Sequence, residues 1–243
     1  MSAGRLVGVG VGPGDPGHLT LKALDALRSA DRVFLPETES SRGDLGRAER
    51  VIAPHVPAER IERLAFSMRD SGERGDRWDA AGRAIAAVVA AGGTAAFATI
   101  GDPNVYSTFS YVAHTVVRLV PGVEVATIPG ITAMQDLAAR SGTVLAEGRE
   151  SVTLVPYTAG GETLREALRT DGTVVVYKGG RQLPELLDAV RAAGRLSDAI
   201  YGADVGMPGE RVGRAGDLDN GAAPYMSTII VPAPRAGRRG EKL

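Results

Sequence analysis

Short apolar runs that end in glycine alternate along this chain with stretches in which apolar residues recur at helical spacing, the pattern of buried strands joined by amphipathic helices. Arg5–Val11 predicts a first buried strand, closed by the stiff loop Gly12-Pro-Gly-Asp-Pro-Gly17. Thr20 is placed to cap a helix whose Leu21, Leu24 and Leu27 share the face toward a sheet. A short strand follows at Arg32–Leu35. The segment from Glu37 to Arg77 is irregular and densely charged, and it predicts solvated surface or a flap. Asp79–Ala91 predicts an alanine-rich helix that keeps Trp78, Ile85 and Val88 toward the core and stops at Gly92-Gly93.

The stretch Thr94–Tyr111 changes most abruptly. Ala95–Ile100 predicts a buried strand, and Gly101-Asp102-Pro103 opens it into a loop at its carboxyl end, where open parallel sheets bind ligands. Gly101 permits close backbone approach, Asp102 offers acceptors, and Tyr106–Tyr111 adds two tyrosine rings and several hydroxyls. An ordinary strand-to-helix turn accounts for the same residues. The pattern then repeats, with a helix at Ser107–Leu119, a strand at Val123–Ile128, the loop Pro129-Gly-Ile-Thr132 and a helix at Met134–Arg140.

The connector at 142–150 predicts a domain boundary, dividing the chain into 1–145, 146–234 and a basic tail, 235–243, expected to be disordered. Strands are expected at Val152–Val155, Thr173–Tyr177, Ala199–Ala203 and Ser227–Val231, with helices at Glu162–Leu168 and Leu183–Ala193. The longer loops and fewer crossover helices of this half predict a mixed sheet, whereas the first half predicts a mostly parallel one, so the fold class is α/β with two α/β domains.

Composition narrows the chemistry. With 243 residues and 44% apolar content the chain can bury a substantial core, and a net charge of −1 gives no general attraction for nucleic acid or an anionic membrane. The absence of cysteine excludes thiolate metal sites and cysteine nucleophiles and suits a cytoplasmic location. His18, His55 and His114 lack ligand spacing, so no protein-held metal is expected. The N-terminus has no signal-peptide pattern, and no apolar run reaches the length of a membrane span.

Gly12, Gly14 and Gly17 satisfy the glycine spacing of a dinucleotide-binding loop. Pro13 and Pro16, however, remove amide donors where a diphosphate cradle needs them. A dinucleotide-binding oxidoreductase or sensor stays open as an alternative from a different class.

Gly10-Val-Gly-Pro-Gly-Asp15, Gly101-Asp-Pro-Asn-Val-Tyr106, Pro129-Gly-Ile-Thr132 and Val176-Tyr-Lys-Gly179 resemble, in order and spacing, the motifs of the tetrapyrrole (corrin and porphyrin) methyltransferase family. The continuations Tyr106–Tyr111 and Lys178-Gly-Gly-Arg181 are most similar to its precorrin-2 C20-methyltransferases. The resemblance implies S-adenosylmethionine in a cleft between two α/β domains, S-adenosylhomocysteine as product, a tetrapyrrole acceptor and a homodimer. It also implies cofactor contacts at Pro13, Gly101, Asp102, Val105, Tyr106, Thr132, Ala133, Tyr177, Lys178 and Gly206. A family member acting at another tetrapyrrole carbon or on another acceptor is the nearer alternative. Two positions depart from the pattern: Tyr177 stands where the subgroup more often has Met, and Gln135-Asp136 where small residues are usual. A sulfonium methyl is already activated, so alignment carries most of the catalysis, and a base must then remove a proton from the methylated carbon. Glu37, just beyond the second strand, is the candidate base, and Arg69, Arg74 and Arg77 are candidates to hold the acceptor's carboxylates.

Overall fold

A computed structural model of the chain describes residues 4–37, 45–66, 73–218, 223–224 and 226–235, with 73–77 described as backbone. Two compact units emerge, Met1–Thr132 and Ala133–Leu243.

The first unit is a five-stranded parallel sheet in the order β3-β2-β4-β1-β5. Its strands are β1 (Arg5–Gly10), β2 (Arg32–Glu37), β3 (Ile61–Ala65), β4 (Thr94–Thr99) and β5 (Glu124–Ile128). Its helices are α1 (Leu21–Ser29), α2 (Arg47–Ile52), α3 (Glu73–Ala90) and α4 (Phe109–Leu119). Alternation along the central strands builds two cores. Val7, Val9, Ala96 and Ala98 face Ala23, Leu27, Val51 and Ile52 of α1 and α2. Leu6, Ala95 and Phe97 face Ile85 and Val89 of α3 and Phe109, Val112 and Val116 of α4. Because both faces are covered, β1 and β4 read as continuous apolar runs.

Thr20 caps α1 as expected, its hydroxyl accepting from the Ala23 amide at 3.1 Å. Leu21 does not join the core: it is 80% exposed, and Ala23 takes that face with Leu27. The charged segment is also more ordered than its composition predicts. It contributes α2, β3 and the first turn of α3, and buries Val51, Ile52, Leu64 and Phe66.

The second unit holds a mixed five-stranded sheet, β6-β7-β10-β8-β9, in which β6 and β7 are parallel and the remaining pairs antiparallel. The strands are β6 (Val152–Pro156), β7 (Thr173–Tyr177), β8 (Ile200–Ala203), β9 (Arg211–Arg214) and β10 (Ser227–Val231). Val174, Val176, Ile229 and Val231 pack on α6 (Gly161–Leu168) and α7 (Leu183–Ala192). Val175 and Ile230, on the opposite face, pack on Leu137 and Ala138 of α5 (Ala133–Ser141). That contact assigns α5 to the second sheet, so the compact units divide at Thr132/Ala133, upstream of the 142–150 connector.

Arg235 is held rather than free. It reaches Glu150 and the Val144 carbonyl, at 3.1 Å for the latter, while 236–243 lie outside the described residues.

Candidate functional site

In the first sheet β1 and β4 are neighbours, yet the chain leaves them in opposite directions, through α1 on one face and α4 on the other. This is a topological switch point, the place where open parallel sheets form ligand crevices at their carboxyl ends. The loops there are joined main chain to main chain. The Gly101 amide donates to the Gly12 carbonyl at 2.8 Å, and the Gly12 amide to the Gly101 carbonyl at 3.4 Å. The loop after β5 closes on the same point. A β-carbon at Gly130 would stand 2.2 Å from the Gly101 carbonyl oxygen, and one at Gly10 would stand 2.5 Å from the Gly130 nitrogen. Only residues without side chains permit three strand ends to meet so closely.

Asp102 fastens this arrangement. It is buried, its Oδ1 accepts from the Asn104 amide at 2.8 Å, and its Oδ2 accepts from the Gly130 amide at 3.0 Å. Gly101 itself has φ 68° and nothing within 4 Å of the place a β-carbon would occupy. The loop therefore presents bare backbone to open space while its own carboxylate is committed to amides.

Of the candidate contacts, Pro13, Gly101, Asp102, Val105, Tyr106 and Thr132 all lie on these loops at strand ends. Tyr106 is held in the left-handed region, φ 52°, with burial pushing its phenol pKa up. A non-glycine residue there is backbone strain of the kind that collects at functional sites. The rings and hydroxyls along Tyr106–Tyr111 have separate partners. The Ser107 hydroxyl binds Thr99 Oγ1 and the Phe109 amide, Phe109 is buried beneath Gly8, and Tyr111 packs edge-on against Trp78 at 4.7 Å.

The glycine loop after β1 suits a dinucleotide poorly. The Gly17 amide donates to Asp15 Oδ1, the His18 amide to the Asp15 carbonyl, the Leu19 amide to the Pro16 carbonyl and the Gly12 amide to Gly101. A short 3₁₀ turn, Pro16–His18, separates the loop from α1, so the helix N-terminus is not presented to a diphosphate.

Glu37 ends β2 at the same edge of the sheet. It lines a crevice with Leu35, Pro36, Glu49 and Arg63, its carboxylate 4.0 Å from Arg63. Arg63 is gripped side-on by Glu49, at 2.8 and 2.9 Å, which raises its pKa. Arg69 lies outside the described residues, as do the side chains of Arg74 and Arg77.

In the second unit, Tyr177 and Lys178 close β7, Ala133 opens α5 and Gly206 follows β8. Lys178 is left-handed at φ 62°, and burial pushes its ammonium pKa down. The Tyr177 hydroxyl accepts from the Met134 amide at 3.3 Å, in the first turn of α5. Asp204, with φ 52°, and Glu210, whose Oε2 accepts from the Gly206 amide at 2.6 Å, are functional candidates absent from the sequence-based set. An aspartate directly after a strand, a residue type that tolerates φ > 0, is the local signal for the first. Glu210 accepts from an amide only four residues before it and from Arg140 seventy residues away, and carries no such signal.

No helix among the described residues is long and apolar enough to cross a membrane, and no cluster of metal-ligating side chains occurs among them.

The family model for Tetrapyrrole (Corrin/Porphyrin) Methylases matches residues 5–219. The chain is 33% identical to the precorrin-2 C(20)-methyltransferase of a Sinorhizobium species, over 96% of both proteins. It is 35% identical to a Methanocaldococcus jannaschii protein named probable cobalt-precorrin-2 C(20)-methyltransferase, over 77% of each. The Thermus thermophilus uroporphyrin-III C-methyl transferase complexed with S-adenyl homocysteine superposes with a TM-score of 0.66 at 25% identity, covering 93% of this chain and 97% of that one.

Proposed function

The chain belongs to the tetrapyrrole (corrin/porphyrin) methylases, and from that premise we propose that it is an S-adenosylmethionine-dependent C-methyltransferase that methylates precorrin-2, or its cobalt complex, at C20 in cobalamin biosynthesis. The observation that carries this reading is the switch-point loop at Gly101, bare of side chains and open, in a chain whose full-length relatives are named for C20 methylation. A dinucleotide reading is disfavoured by the committed amides of the Gly12–Gly17 loop.

When bound, S-adenosylmethionine supplies a methyl group activated on sulfonium. The residues present fit it. Gly101 leaves room against main chain, the loops offer carbonyls and amides, and no charged side chain projects from Gly101-Asp102-Pro103, because Asp102 is turned into the loops. Pro13, Gly101, Asp102, Val105, Tyr106 and Thr132 in the first unit, with Ala133, Tyr177, Lys178 and Gly206 in the second, are the proposed cofactor residues. Asp102 acts by fixing the Gly101 and Gly130 loops. Rigid strand ends hold the acceptor carbon in line, which is where positional catalysis obtains its rate.

Glu37 is the proposed base. Its carboxylate lies beside Arg63 at the carboxyl edge of the sheet, and in this proposal it takes the proton from the methylated carbon. The same proposal includes a cytoplasmic, homodimeric enzyme whose arginines hold the acceptor's carboxylates. Light scattering tests the dimer.

Incubation with methyl-labelled S-adenosylmethionine and precorrin-2, in parallel with cobalt-precorrin-2, followed by carbon NMR of the product, tests the reaction. A methyl signal at C20 is expected. A methyl at any other carbon refutes the C20 assignment, and the better acceptor of the two decides the metal question.

A further inference from the structure

Tyr177 accepts from the Met134 amide, and Asp136 lies in that same first turn of α5. Asp136 is buried, its side chain 2% exposed. A buried carboxylate requires a partner, and Arg140, one helical turn on, supplies it: Nε donates to Asp136 Oδ1 at 2.9 Å. The guanidinium then extends the connection, Nη1 donating to Glu210 Oε1 at 3.0 Å, and the second oxygen of Glu210 accepts the Gly206 amide at 2.6 Å. A chain of charge-assisted bonds thus runs from the start of α5 to the turn after β8, within the second unit. That turn carries two left-handed positions in three residues, Asp204 at φ 52° and Gly206 at φ 77°. Strained turns keep their shape only when their surroundings over-determine it, and the Glu210 side chain reaches this one.

We propose that Glu210 is a positioning residue for the cofactor site: through Gly206 on one oxygen and Arg140 on the other, it holds the turn after β8 in register with the first turn of α5. This rests on the reading that Gly206 and Ala133 contact S-adenosylmethionine. The presence of Asp136 follows from the same device, since it anchors the arginine that orients Glu210. Gly206 contributes an amide already committed to Glu210, so the shape of the turn, rather than that amide, is what the ligand meets.

The test is calorimetric titration of the full chain with S-adenosylhomocysteine, beside a thermal melt of each variant. Wild type must bind; if it does not, the methyltransferase reading fails before any variant is made. Glu210→Ala is expected to weaken binding about tenfold or more, the equivalent of losing one charged hydrogen bond. Glu210→Gln keeps one acceptor and is expected to fall between the two, and it decides the question if Glu210→Ala does not melt cooperatively. Asp136→Asn is expected to weaken binding as well, and the Asp136→Asn/Glu210→Ala double variant to be no weaker than Glu210→Ala alone, because both act through Arg140. Glu162→Ala, which removes an exposed pair on α6, should bind as wild type does. Wild-type affinity in Glu210→Gln, or additive losses in the double variant, overturns the proposal.

Discussion

The carboxylate of Asp102 and the amide of Gly130, 3.0 Å apart, tie the loop leaving β4 to the loop leaving β5. The other oxygen of the same carboxylate holds the Asn104 amide, so one buried side chain sets the shape of both loops. Asp102→Ala leaves two amides without their acceptor and should lower stability by about 1.5–3 kcal/mol, the worth of hydrogen bonds to a charged group. It should also weaken S-adenosylhomocysteine binding by loosening the Gly101 loop. Unchanged calorimetric affinity in a folded Asp102→Ala protein would show that the loop does not need its staple in order to bind.

Gly101 and Gly130 touch, yet their substitutions should fail differently. A β-carbon at Gly101 meets nothing within 4 Å, so Gly101→Ala bears only the left-handed backbone cost of about 1–2 kcal/mol. It should fold and lose cofactor affinity, and Gly101→Val should abolish that affinity, because the side chain occupies the open space. A β-carbon at Gly130 stands 2.2 Å from a carbonyl oxygen, and Gly130→Ala should lose stability before affinity can be measured. Thermal melts with calorimetry separate the two, and a Gly101→Val protein that binds normally makes the loop a plain turn.

The central strands were legible because burial on both faces leaves little but apolar residues, as in β1 and β4. The charged segment was opaque for the complementary reason. β3 is an edge strand that buries Leu64 while its neighbours face outward, and a surface pattern conceals that Arg63 is locked to a buried Glu49. α5 shows a third limit. Leu137 and Ala138 announce an apolar face, but nothing local states that Val175 and Ile230 cover it. At the candidate site, Gly101 and Asp102 stood out as a strand-end loop. The close approach of Gly10 to Gly130, and the reach of Arg140 to Glu210, join residues far apart in sequence and leave no local trace.

Burial raises the pKa of the phenols of Tyr106, Tyr157 and Tyr201 above the ordinary value of 10.0. In the unfolded chain these groups ionise first, so the native state binds more protons on the alkaline side. Their contribution to stability is complete below pH 10 and is lost as pH rises from 10 through the raised native values. Absorbance titration of tyrosinate should show a fraction released only on unfolding, and denaturant midpoints should fall as pH rises above 10 by more than in a Tyr201→Phe variant. Equal falls in the two proteins would remove Tyr201 from the effect.

Arg195 gathers the second unit's chain ends around one guanidinium. Nη2 donates to the carbonyls of Gly172 at 2.6 Å, Pro232 at 2.9 Å and Val231 at 3.3 Å, and Nη1 to those of Thr170 at 3.1 Å and Leu168 at 3.4 Å. The segment after α7 is thereby fixed to the end of α6, to the turn before β7 and to the exit of β10. Burial lowers the arginine's pKa, opposed by nearby Asp171, but an arginine remains charged at working pH and has no acceptor of its own to satisfy. Arg195→Ala should cost about 2–4 kcal/mol, since several partly buried carbonyls lose a charged donor together. Arg195→Lys should recover only part of it, because a single ammonium cannot reproduce a planar fork that serves carbonyls on two sides. The loss should appear in the denaturant midpoint and leave S-adenosylhomocysteine affinity intact well below the melting temperature, since these carbonyls lie outside the proposed cofactor residues. A lysine variant as stable as wild type would show that charge alone, without the fork, holds the second unit together.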